Sequence, residues 1–399
     1  LVALVSALGA TVAGAPAAHA DDASSVNAYV LDSLGRSTAT AIAAQVNIEG
    51  HGNVVFLRHD LALQPASTQK LYTTGAALLG LGLDHRLRTE LRENGPRIGT
   101  LLLGDLVFRG SGDPTLTDVN FRGFAGAVAA SGIRRVYGDI WMDDTLFDRT
   151  RVAPGWKAGW MPRYVGPLSG VSVNSNAYRS DSAFLAEPAI GAGERLRDAL
   201  ALSGVSVRGE IKVGPSPKPV RALLAHHETP VPVIARKVLK VSDNFAAEQL
   251  LKVLGSQIGS GTTNGGIEFV NLLSERTGLA RIAAADGSGL SSLNRSSVGH
   301  QTEWLVRLAR TPVGETLRAS LPVACVDGTL HRRMCGTPAA GKVFAKTGYV
   351  AGVVALSGYT TTANGKRVTF SFLLNGVNNV DAARDAIDRA VVHLASVTI

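Results

Sequence analysis

The sequence predicts an α/β protein in which an antiparallel sheet is flanked by helices and a mostly β domain is inserted into the chain. Three observations carry this prediction. Near the C-terminus, three stretches rich in β-branched and aromatic residues follow one another closely. Near the N-terminus, a hairpin pattern precedes an apolar segment with helical spacing. Between these two regions, glycine and proline are frequent and the β-like segments are short.

The start of the chain has the pattern of an export signal. Leu1 to Ala13 is mostly apolar, and Ala18-His19-Ala20 is a small-x-small cleavage pattern. We predict that residues 1–20 are a truncated signal peptide that is cleaved, so that the mature protein is secreted or lies in the cell envelope, in the periplasmic or cell-wall space. The alternative is a flexible, alanine-rich N-terminus. No later stretch has ~18 uninterrupted apolar residues, so no transmembrane anchor is predicted after cleavage.

Residues 21–87 are predicted to form the first part of the main domain. The stretch Thr38–Leu57 is rich in Ala, Val and Ile and is interrupted by a Gly-His-Gly-Asn turn, which is the pattern of a β-hairpin. Leu71–Leu81 is apolar at helical spacing. Ser67 therefore lies at a helix N-terminus with Lys70 one turn inside, and positions i and i+3 share one face.

Residues 88–232 are predicted to form the inserted domain, mostly β or α+β. Three short β-like stretches, Thr100–Val107, Val136–Met142 and Val205–Val213, alternate with turns. The Thr-Pro-Val-Pro segment at 229–232 is the predicted exit hinge. The sequence shows no internal repeat.

Residues 233–399 are predicted to form the second part of the main domain. Val233–Leu254 is helical in character on either side of a short polar interruption, and Asp381–Ala395 has the pattern of an amphipathic terminal helix. The other predicted elements are helices over Ile267–Ser274 and Ser297–Leu308, a loop over Gly255–Gly266, and strands over Val343–Thr347, Val353–Tyr359 and Arg367–Leu374.

The bulk composition limits the functional classes. The chain has 399 residues, 45% of them hydrophobic and 18% charged, and its net charge is +8. This is ordinary globular composition with ample apolar material for a large core. A basic balance suits an anionic partner such as the cell wall or a membrane surface. The basic residues are scattered and no nucleic-acid motif occurs, so no nucleic-acid partner is predicted.

The only two cysteines, Cys325 and Cys335, lie in one short segment. In an exported protein such a pair is predicted to form a disulfide that closes a small loop, and the alternative is two buried thiols. Only His331 lies close enough to help bind a metal, so no metal site is predicted. No phosphate-binding loop occurs, and we predict that the protein needs no cofactor.

Three short motifs occur in order: Ser67-Thr68-Gln69-Lys70, Ser242-Asp243-Asn244 and Lys346-Thr347-Gly348. Each is weak alone, and Ser-x-Asn occurs at three other places in the chain. Their context is informative, because the first opens a strongly apolar helix and the third lies on a predicted strand. Together and in this order they are a strong signal for acyl transfer on a peptide or a β-lactam.

Each residue type in these motifs has a chemical reason. A serine hydroxyl such as that of Ser67 is a poor nucleophile until a base removes its proton. Lys70 can be that base if it is neutral, because burial and a neighbouring cation such as Lys346 lower the pKa of an amine. Ser242 can relay the proton to the leaving nitrogen. Asn244 can hydrogen-bond a substrate amide.

The third motif supplies the other side of the predicted site. Lys346 and Thr347 can hold a substrate carboxylate by charge and hydroxyl, and Gly348 and Tyr349 continue the same strand along the substrate. Backbone N–H groups can hold the oxyanion, and the expected donors are those of Ser67 and Tyr349.

The chain resembles the low-molecular-mass class C penicillin-binding proteins, the D-alanyl-D-alanine carboxypeptidase/endopeptidase family of the penicillin-binding protein 4 type. The resemblance covers nearly all of the chain after residue 20 and rests on more than the three motifs. The segments that carry it are Pro65–Lys70, Gly110–Leu116, Asp143–Asp148, Asp286–Ser291 and Gly328–Leu330. It implies a transpeptidase-type domain like that of serine β-lactamases and DD-peptidases, and a serine carboxypeptidase that cleaves peptidoglycan stem peptides and is inhibited by β-lactams.

The resemblance also implies weaker assignments. Ser291 and Arg295 match positions near the side-chain pocket of related enzymes, where Arg295 would meet a carboxylate of the stem peptide. Asp143 and Asp144 would reach that pocket from the insert and hold an amino group, and their alternative interpretation is a solvated turn. Tyr349 is a departure, because the family often has Thr or Ser after Lys-Thr-Gly, and this puts carboxypeptidase efficiency in doubt.

Two other functions remain open at this point. The first is a β-lactamase or esterase on the same scaffold. Against it, the first two motifs lie much farther apart than in a β-lactamase, and no Glu-x-x-x-Asn segment that would activate a deacylating water, as in class A β-lactamases, follows the second motif. The second is a non-catalytic scaffold that binds peptidoglycan, with Tyr349 blunting the site.

Overall fold

A computed structural model of the protein describes residues 21–177, 186–217 and 222–399. The predicted signal peptide, residues 1–20, lies outside the described residues. Within the described ranges, every helix is too short or too polar to cross a membrane.

The described ranges contain helices and strands that we number in chain order. The helices are α1 (Ala23–Gly35), α2 (Lys70–Leu81), α3 (Asp118–Ala130), α4 (Pro188–Leu202), α5 (Val231–Lys240), α6 (Asn244–Ser256), α7 (Thr263–Arg276), α8 (Val298–Ala309), α9 (Gly314–Ser320) and α10 (Val380–Leu394). The strands are β1 (Ala41–Ile48), β2 (Gly52–Leu57), β3 (Arg86–Asn94), β4 (Arg97–Ile98), β5 (Leu101–Leu102), β6 (Asp105–Arg109), β7 (Arg135–Val136), β8 (Ile140–Asp143), β9 (Ser206–Val207), β10 (Ile211–Val213), β11 (Leu223–Pro230), β12 (Phe344–Val350), β13 (Val353–Thr361) and β14 (Arg367–Asn375).

The main sheet has five antiparallel strands in the order β12-β13-β14-β1-β2. The N-terminal hairpin joins the C-terminal strands through β1, which pairs with β14 from Ala41 opposite Asn375 to Ile48 opposite Val368. This hairpin was predicted from the sequence, and the structure confirms it. Strand β12 lies at one edge of the sheet, where its outer backbone groups are available to other partners.

Helices cover both faces of the main sheet because its strands alternate apolar residues between the two faces. Phe370 and Phe372 of β14 belong to a buried cluster with α1 and α10. Leu373 of the same strand packs with Val298 at the start of α8 on the opposite face. A second large cluster joins α2, α5, α6, α7, α8 and α9, with Trp304 of α8 among its most buried side chains. The segment that carries the first motif therefore lies between the sheet and a helical layer.

Strands β3 to β11 form two further sheets and pair with no strand of the main sheet. One has the order β10-β8-β6-β3-β11 and the other β4-β5-β7-β9. Strand β11 ends at Pro230, and α5 begins at Val231, so the predicted hinge is a direct passage from strand to helix. The domain boundaries at 87/88 and 232/233 stay predictions.

The three β-like stretches predicted in the insert are each two strands that belong to different sheets. The chain passes from one sheet to the other at Gly104, Gly138 and Gly209, which stack on one another. The Gly138 N–H donates to the Gly104 carbonyl at 3.1 Å, and the Gly209 N–H donates to the Gly138 carbonyl at 3.1 Å. A Cβ at Gly138 would lie 2.6 Å from the Gly104 carbonyl carbon, so a side chain does not fit there.

The same three crossings correct the expectation that the chain has no internal repeat. Each glycine is followed by an acidic residue and a strand: Gly104-Asp105, Gly138-Asp139 and Gly209-Glu210. The Asp105 carboxylate accepts from the Asp139 N–H at 2.8 Å, and the Asp139 carboxylate accepts from the Glu210 N–H at 2.7 Å. The repeated unit is short, and its three copies are irregularly spaced along the chain. The similarity of the copies is therefore evident only in the structure, where their strands lie side by side.

The predicted disulfide between Cys325 and Cys335 is present, with the two Cα atoms 4.9 Å apart. It closes a loop that contains a short 3₁₀ turn, Gly328–Leu330. This turn lies beside β12 and places Thr329 next to the third motif.

Candidate active site

The first motif lies on a tight turn that leads directly into α2. Residues Ala66–Gln69 form a 3₁₀ turn, and the α-helix begins at Lys70. Ala66 has a φ of 47°, and the chain is held there by Gly289, where a Cβ would lie 1.9 Å from the Ala66 carbonyl oxygen. This close packing fixes the position of Ser67 at the N-terminus of the helix, as the sequence predicted.

Lys70 is fully buried beneath Ser67, one helical turn away. Its Nζ atom lies 3.0 Å from the Ser67 Oγ, 2.8 Å from the Asn244 Oδ1 and 2.6 Å from the Ser288 carbonyl oxygen. Burial lowers the pKa of Lys70 from 10.5 to about 8, although the nearby carboxylates of Asp286 and Glu248 oppose this shift. An appreciable fraction of Lys70 is therefore neutral in mildly alkaline solution and able to accept a proton from Ser67.

The second motif joins α5 to α6. Ser242 has a φ of 61°, in the left-handed region, which turns the chain sharply between the helices. The Asp243 carboxylate caps α6 by accepting from the Ala246 N–H at 2.8 Å. Asn244, the first residue of α6, accepts from Lys70 and donates its Nδ2 to the Tyr164 carbonyl of the insert at 3.0 Å.

The third motif lies on the edge strand β12. Lys346 is fully buried, and its Nζ donates to the Thr347 carbonyl at 2.7 Å. Burial lowers the pKa of Lys346, and the positive charge of Lys70 lowers it further. The Thr347 hydroxyl lies 2.8 Å from the hydroxyl of Thr329. The two lysines thus face the same buried space. Their proximity lowers the pKa of Lys346, whereas the pKa of Lys70 is lowered by burial.

The outer edge of β12 turns backbone groups toward Ser67. The Ala345 N–H donates to the Pro322 carbonyl, which lies outside the sheet, so the N–H groups of Thr347 and Tyr349 point to the same outer side. Gly348 allows the close approach, because a Cβ there would lie 2.9 Å from the Pro65 carbonyl oxygen. The Tyr349 N–H therefore faces the outer side of β12, and its role as an oxyanion donor stays a prediction.

These elements enclose a cleft of about 440 Å³. Its lining residues are Ser67, Ser242, Thr329, Arg333, Thr347, Gly348, Tyr349, Val354 and Arg384. Lys70 contacts Ser67 and Asn244, and Lys346 is buried on the face of β12 that packs against the Ser67 segment. The structure therefore brings together all eight site residues predicted from the three motifs and from Tyr349.

Two predicted residues of the 286–295 segment do not line this cleft. Ser291 is fully buried, and its Oγ accepts from the Leu293 N–H at 3.2 Å beneath Gly155 of the insert. Arg295 is exposed and donates to the carbonyl oxygens of Ser292 and Asn294. Both side chains are engaged within their own loop.

The two predicted acidic residues of the insert are also not in the cleft. The Asp143 carboxylate accepts from the N–H and the hydroxyl of Thr145 within a turn, but Asp143 is buried, so the turn is not the solvated one of the alternative interpretation. Asp144 is buried and pairs with the buried Arg151 at 3.0 Å. Their partners come from tertiary packing inside the insert, which the sequence pattern did not reveal.

The sequence analysis missed the buried acids that support the loop beneath Ser67. Glu248 of α6 accepts from the N–H groups of Gly287 and Ser288, and burial raises its pKa to about 8. Asp286 accepts from the Ser291 N–H at 2.6 Å and from the Trp156 indole at 3.0 Å. A glutamate four residues after Asn244, inside an otherwise apolar helix, was the available signal.

It also missed the basic side chains of the cleft. Arg333 follows the 3₁₀ turn inside the disulfide loop, and Arg384 lies on α10, far from every motif in the sequence. Arginines are common throughout the chain, and spacing does not distinguish these two.

Comparison with known proteins agrees with this geometry. A sequence model of the D-Ala-D-Ala carboxypeptidase 3 (S13) family matches residues 24–183 and 179–397. A D-alanyl-D-alanine carboxypeptidase of Actinomadura sp. (strain R39) is 32% identical, over 79% of this chain and 73% of the relative.

Solved structures extend the comparison to the fold. The crystal structure of penicillin binding protein 4 from Haemophilus influenzae matches with a TM-score of 0.82 at 22% identity, covering 91% of this chain and 98% of that one. The same protein complexed with a novel β-lactam matches with a TM-score of 0.75 at 23% identity, with the same coverage. The predicted α/β fold, with its sheet flanked by helices, is confirmed.

Proposed function

This chain belongs to the D-Ala-D-Ala carboxypeptidase S13 family, the class C penicillin-binding proteins, and is a serine D-alanyl-D-alanine carboxypeptidase. From that premise we propose that it is an exported enzyme. It would cleave peptidoglycan stem peptides through an acyl-enzyme on Ser67. The proposal extends to β-lactams, which would acylate the same serine and inhibit the enzyme.

Acylation follows from the contacts around Ser67. Neutral Lys70, 3.0 Å away, takes the proton of the Ser67 hydroxyl as the oxygen attacks the carbonyl carbon that precedes the terminal D-alanine. The N–H groups of Ser67 and Tyr349 hold the oxyanion. When the tetrahedral intermediate collapses, Lys70 gives up the proton it took from Ser67, Ser242 relays a proton to the leaving nitrogen, and D-alanine departs with Lys70 neutral again. An ester between Ser67 and the shortened peptide remains.

Deacylation reverses these roles with water as the nucleophile. Water attacks the ester carbonyl, its proton passes to Lys70, and the Ser67 oxygen leaves as the hydroxyl. Asn244 and Thr347 hold the peptide along β12 during both steps. The chain lacks the additional glutamate of class A β-lactamases, so a penicilloyl ester, which blocks the approach of water, should persist.

The envelope location is supported by the sequence. The predicted signal peptide, the disulfide and the net charge of +8 all suit a protein that works against the anionic cell wall outside the cytoplasm. The relative from H. influenzae was solved in complex with a β-lactam, which supports β-lactams as ligands of this site.

The observation that carries the proposal is the contact of Ser67 with a buried amine whose pKa is lowered to about 8. The test is to label purified protein with a fluorescent penicillin and to identify by mass spectrometry the products formed from muropeptides. We expect Ser67→Ala to abolish both labelling and release of D-alanine. Ser292→Ala is the control, since Ser292 is an exposed serine that does not line the cleft, and we expect it to be labelled like the wild type.

The same experiment separates the alternatives. Labelling that survives Ser67→Ala would disprove the assignment of the nucleophile. Turnover of nitrocefin within minutes, in place of stoichiometric trapping, would indicate a β-lactamase. Binding of stem peptides without acylation would indicate a scaffold. Products from cross-linked dimers would show whether the enzyme is also an endopeptidase.

A further inference from the structure

The cleft contains more positive charge than the proposed chemistry at Ser67 uses. Arg333 and Arg384 line it together with Thr347 and Tyr349. Among the residues that the structure describes, no acidic side chain lines the cleft. A substrate group that enters beside β12 therefore meets a positive, partly desolvated wall, which favours an anion.

The two arginines are not equivalent. Arg333 makes a double contact with Asp388, at 2.6 and 3.2 Å, and both side chains are mostly buried, so its charge is balanced. Arg384 lies 3.6 Å from Asp381, whose side chain is 91% exposed and well hydrated. A single long contact to an exposed carboxylate balances little charge and occupies few of the five guanidinium donors.

The ring of Tyr349 holds Arg384 in place. The guanidinium carbon lies 5.3 Å from the ring centroid, within the range of a cation–π contact. Since Tyr349 lines the same cleft as Ser67, this contact places Arg384 beside the strand that faces the nucleophile. The aromatic ring thus sets a guanidinium at the mouth of the cleft.

Lys346 is poorly suited to bind a carboxylate by charge alone. Its amine is fully buried, donates to the Thr347 carbonyl, and has a lowered pKa. The sequence assigned carboxylate recognition to Lys346 and Thr347, but in the structure Lys346 offers little free charge. Another cation in the same cleft is needed to complete the site.

We propose that Arg384, stacked on Tyr349, binds a carboxylate of the leaving residue, and that the Thr347 hydroxyl lies beside this carboxylate. The carboxylate is the one bonded to the carbon that carries the scissile nitrogen. This inference rests on the proposed acyl-transfer function and adds its substrate specificity. Terminal D-alanine carries this carboxylate, and so does a D-amino acid whose nitrogen is cross-linked to the preceding stem peptide.

The test compares one peptide ending in D-Ala-D-Ala as the free acid and as its C-terminal amide, with full-length wild-type protein and three variants. Arg384→Gln removes the charge, Arg384→Lys keeps it but loses the planar group, and Asp381→Asn is the control that leaves Arg384 intact. We expect Arg384→Gln to lower the ratio of kcat/KM for acid over amide by about tenfold or more, the effect of losing a charge-assisted hydrogen bond. Arg384→Lys should lie between, and Asp381→Asn should match the wild type.

Salt gives an independent readout. In the wild type, KM for the acid should rise with ionic strength, because Arg384 is 41% exposed and its charge is screened. This dependence should be weaker in Arg384→Gln and absent for the amide. If Arg384 has a merely structural role, Arg384→Gln will lower kcat/KM equally for the acid and the amide. The acid-to-amide ratio would then be unchanged, which would overturn the proposal.

The experiment distinguishes failure of the carboxylate assignment from failure of the proposed function. If the wild type releases D-alanine but the acid-to-amide ratio is the same in Arg384→Gln, the carboxylate assignment fails while the function stands. If the wild type neither acylates nor cleaves, the function itself fails. A cross-linked muropeptide dimer as third substrate identifies which leaving residues the subsite accepts. If Arg384→Gln lowers kcat/KM for both the D-Ala-D-Ala acid and the dimer, the subsite accepts any leaving D-residue. If Arg384→Gln lowers kcat/KM for the D-Ala-D-Ala acid alone, the subsite accepts only D-alanine.

Discussion

At the scale of single residues, the chemistry depends on keeping one amine uncharged in a polar, buried space. Lys70 has three oxygen acceptors within 3.0 Å and two buried carboxylates nearby, all of which favour its charged form. Complete burial outweighs them and lowers its pKa to about 8. The sequence predicted the pairing with Ser67, because positions i and i+3 of a helix share a face. It did not predict Glu248 and Asp286, whose effects require tertiary packing.

The pKa of Lys70 makes acylation dependent on pH. Only the neutral amine accepts the Ser67 proton, and the amine is protonated below about pH 8, so the second-order rate of penicillin acylation should rise with pH and level off above 8. Well below this midpoint the rate should fall about tenfold per pH unit. The measurement is stopped-flow or gel labelling from pH 6 to 9.5. A flat profile over this range would exclude Lys70 as the base.

At the scale of elements, spacing predicted what is local and missed what depends on neighbours. Strands β12 to β14 and the terminal helix were predicted to within a few residues, because their apolar periodicity is regular. The crossings at Gly104, Gly138 and Gly209 were interpreted as strand interiors, since a glycine within a β-like stretch carries no sign of a change of sheet. Helix α1 was not predicted at all. Asp144 was assigned to a substrate amino group from the family resemblance, and its buried partner Arg151, which follows an irregular loop, was not recognised.

The glycine stack predicts an unusual sensitivity to small substitutions. Gly138→Ala would place a Cβ 2.3 Å from an Asp105 carboxylate oxygen and 2.6 Å from the Gly104 backbone. We expect a loss of about 2–4 kcal/mol in the free energy of unfolding, from overpacking and the broken contact of Asp105 with the Asp139 N–H. Denaturant unfolding measures this loss.

The matched control is Gly126→Ala on the exposed side of α3, where a Cβ would have no atom within 4 Å. This change should be neutral or stabilising by about 1 kcal/mol, because alanine has the higher helix propensity. Equal stabilities of the two variants would contradict the packing argument.

At the scale of the whole molecule, the insert contributes to the site although it carries none of the three motifs. Its segment around residues 155–164 reaches the main domain, where Trp156 donates to buried Asp286 and the Tyr164 carbonyl accepts from Asn244. The loop whose Ser288 carbonyl accepts a hydrogen bond from Lys70 thus has support from both parts of the chain. The insert was predicted from its glycine and proline content, its short β-like stretches and the distance between the first two motifs, and none of these signals this contact.

This contact predicts that a change in the insert alters catalysis. Trp156→Phe keeps the aromatic packing but removes the hydrogen bond to Asp286, and we expect a loss of about 1–3 kcal/mol in unfolding free energy together with slower acylation. The readouts are denaturant unfolding and the rate of penicillin labelling. Trp160→Phe, on the same segment but without a contact to Asp286, is the control and should retain the wild-type rate. If both variants label at the wild-type rate, the insert does not support the site.

The rim position of β12 has a wider consequence. A peptide laid along its outer side would become a sixth strand, held mainly by main-chain hydrogen bonds that are blind to side-chain identity. Tolerance of varied stem sequences then follows from the backbone itself. Inhibitors that mimic an extended peptide backbone should bind along this edge with affinities that depend little on their side-chain substituents. Selectivity among such inhibitors must then come from the end that faces Arg384.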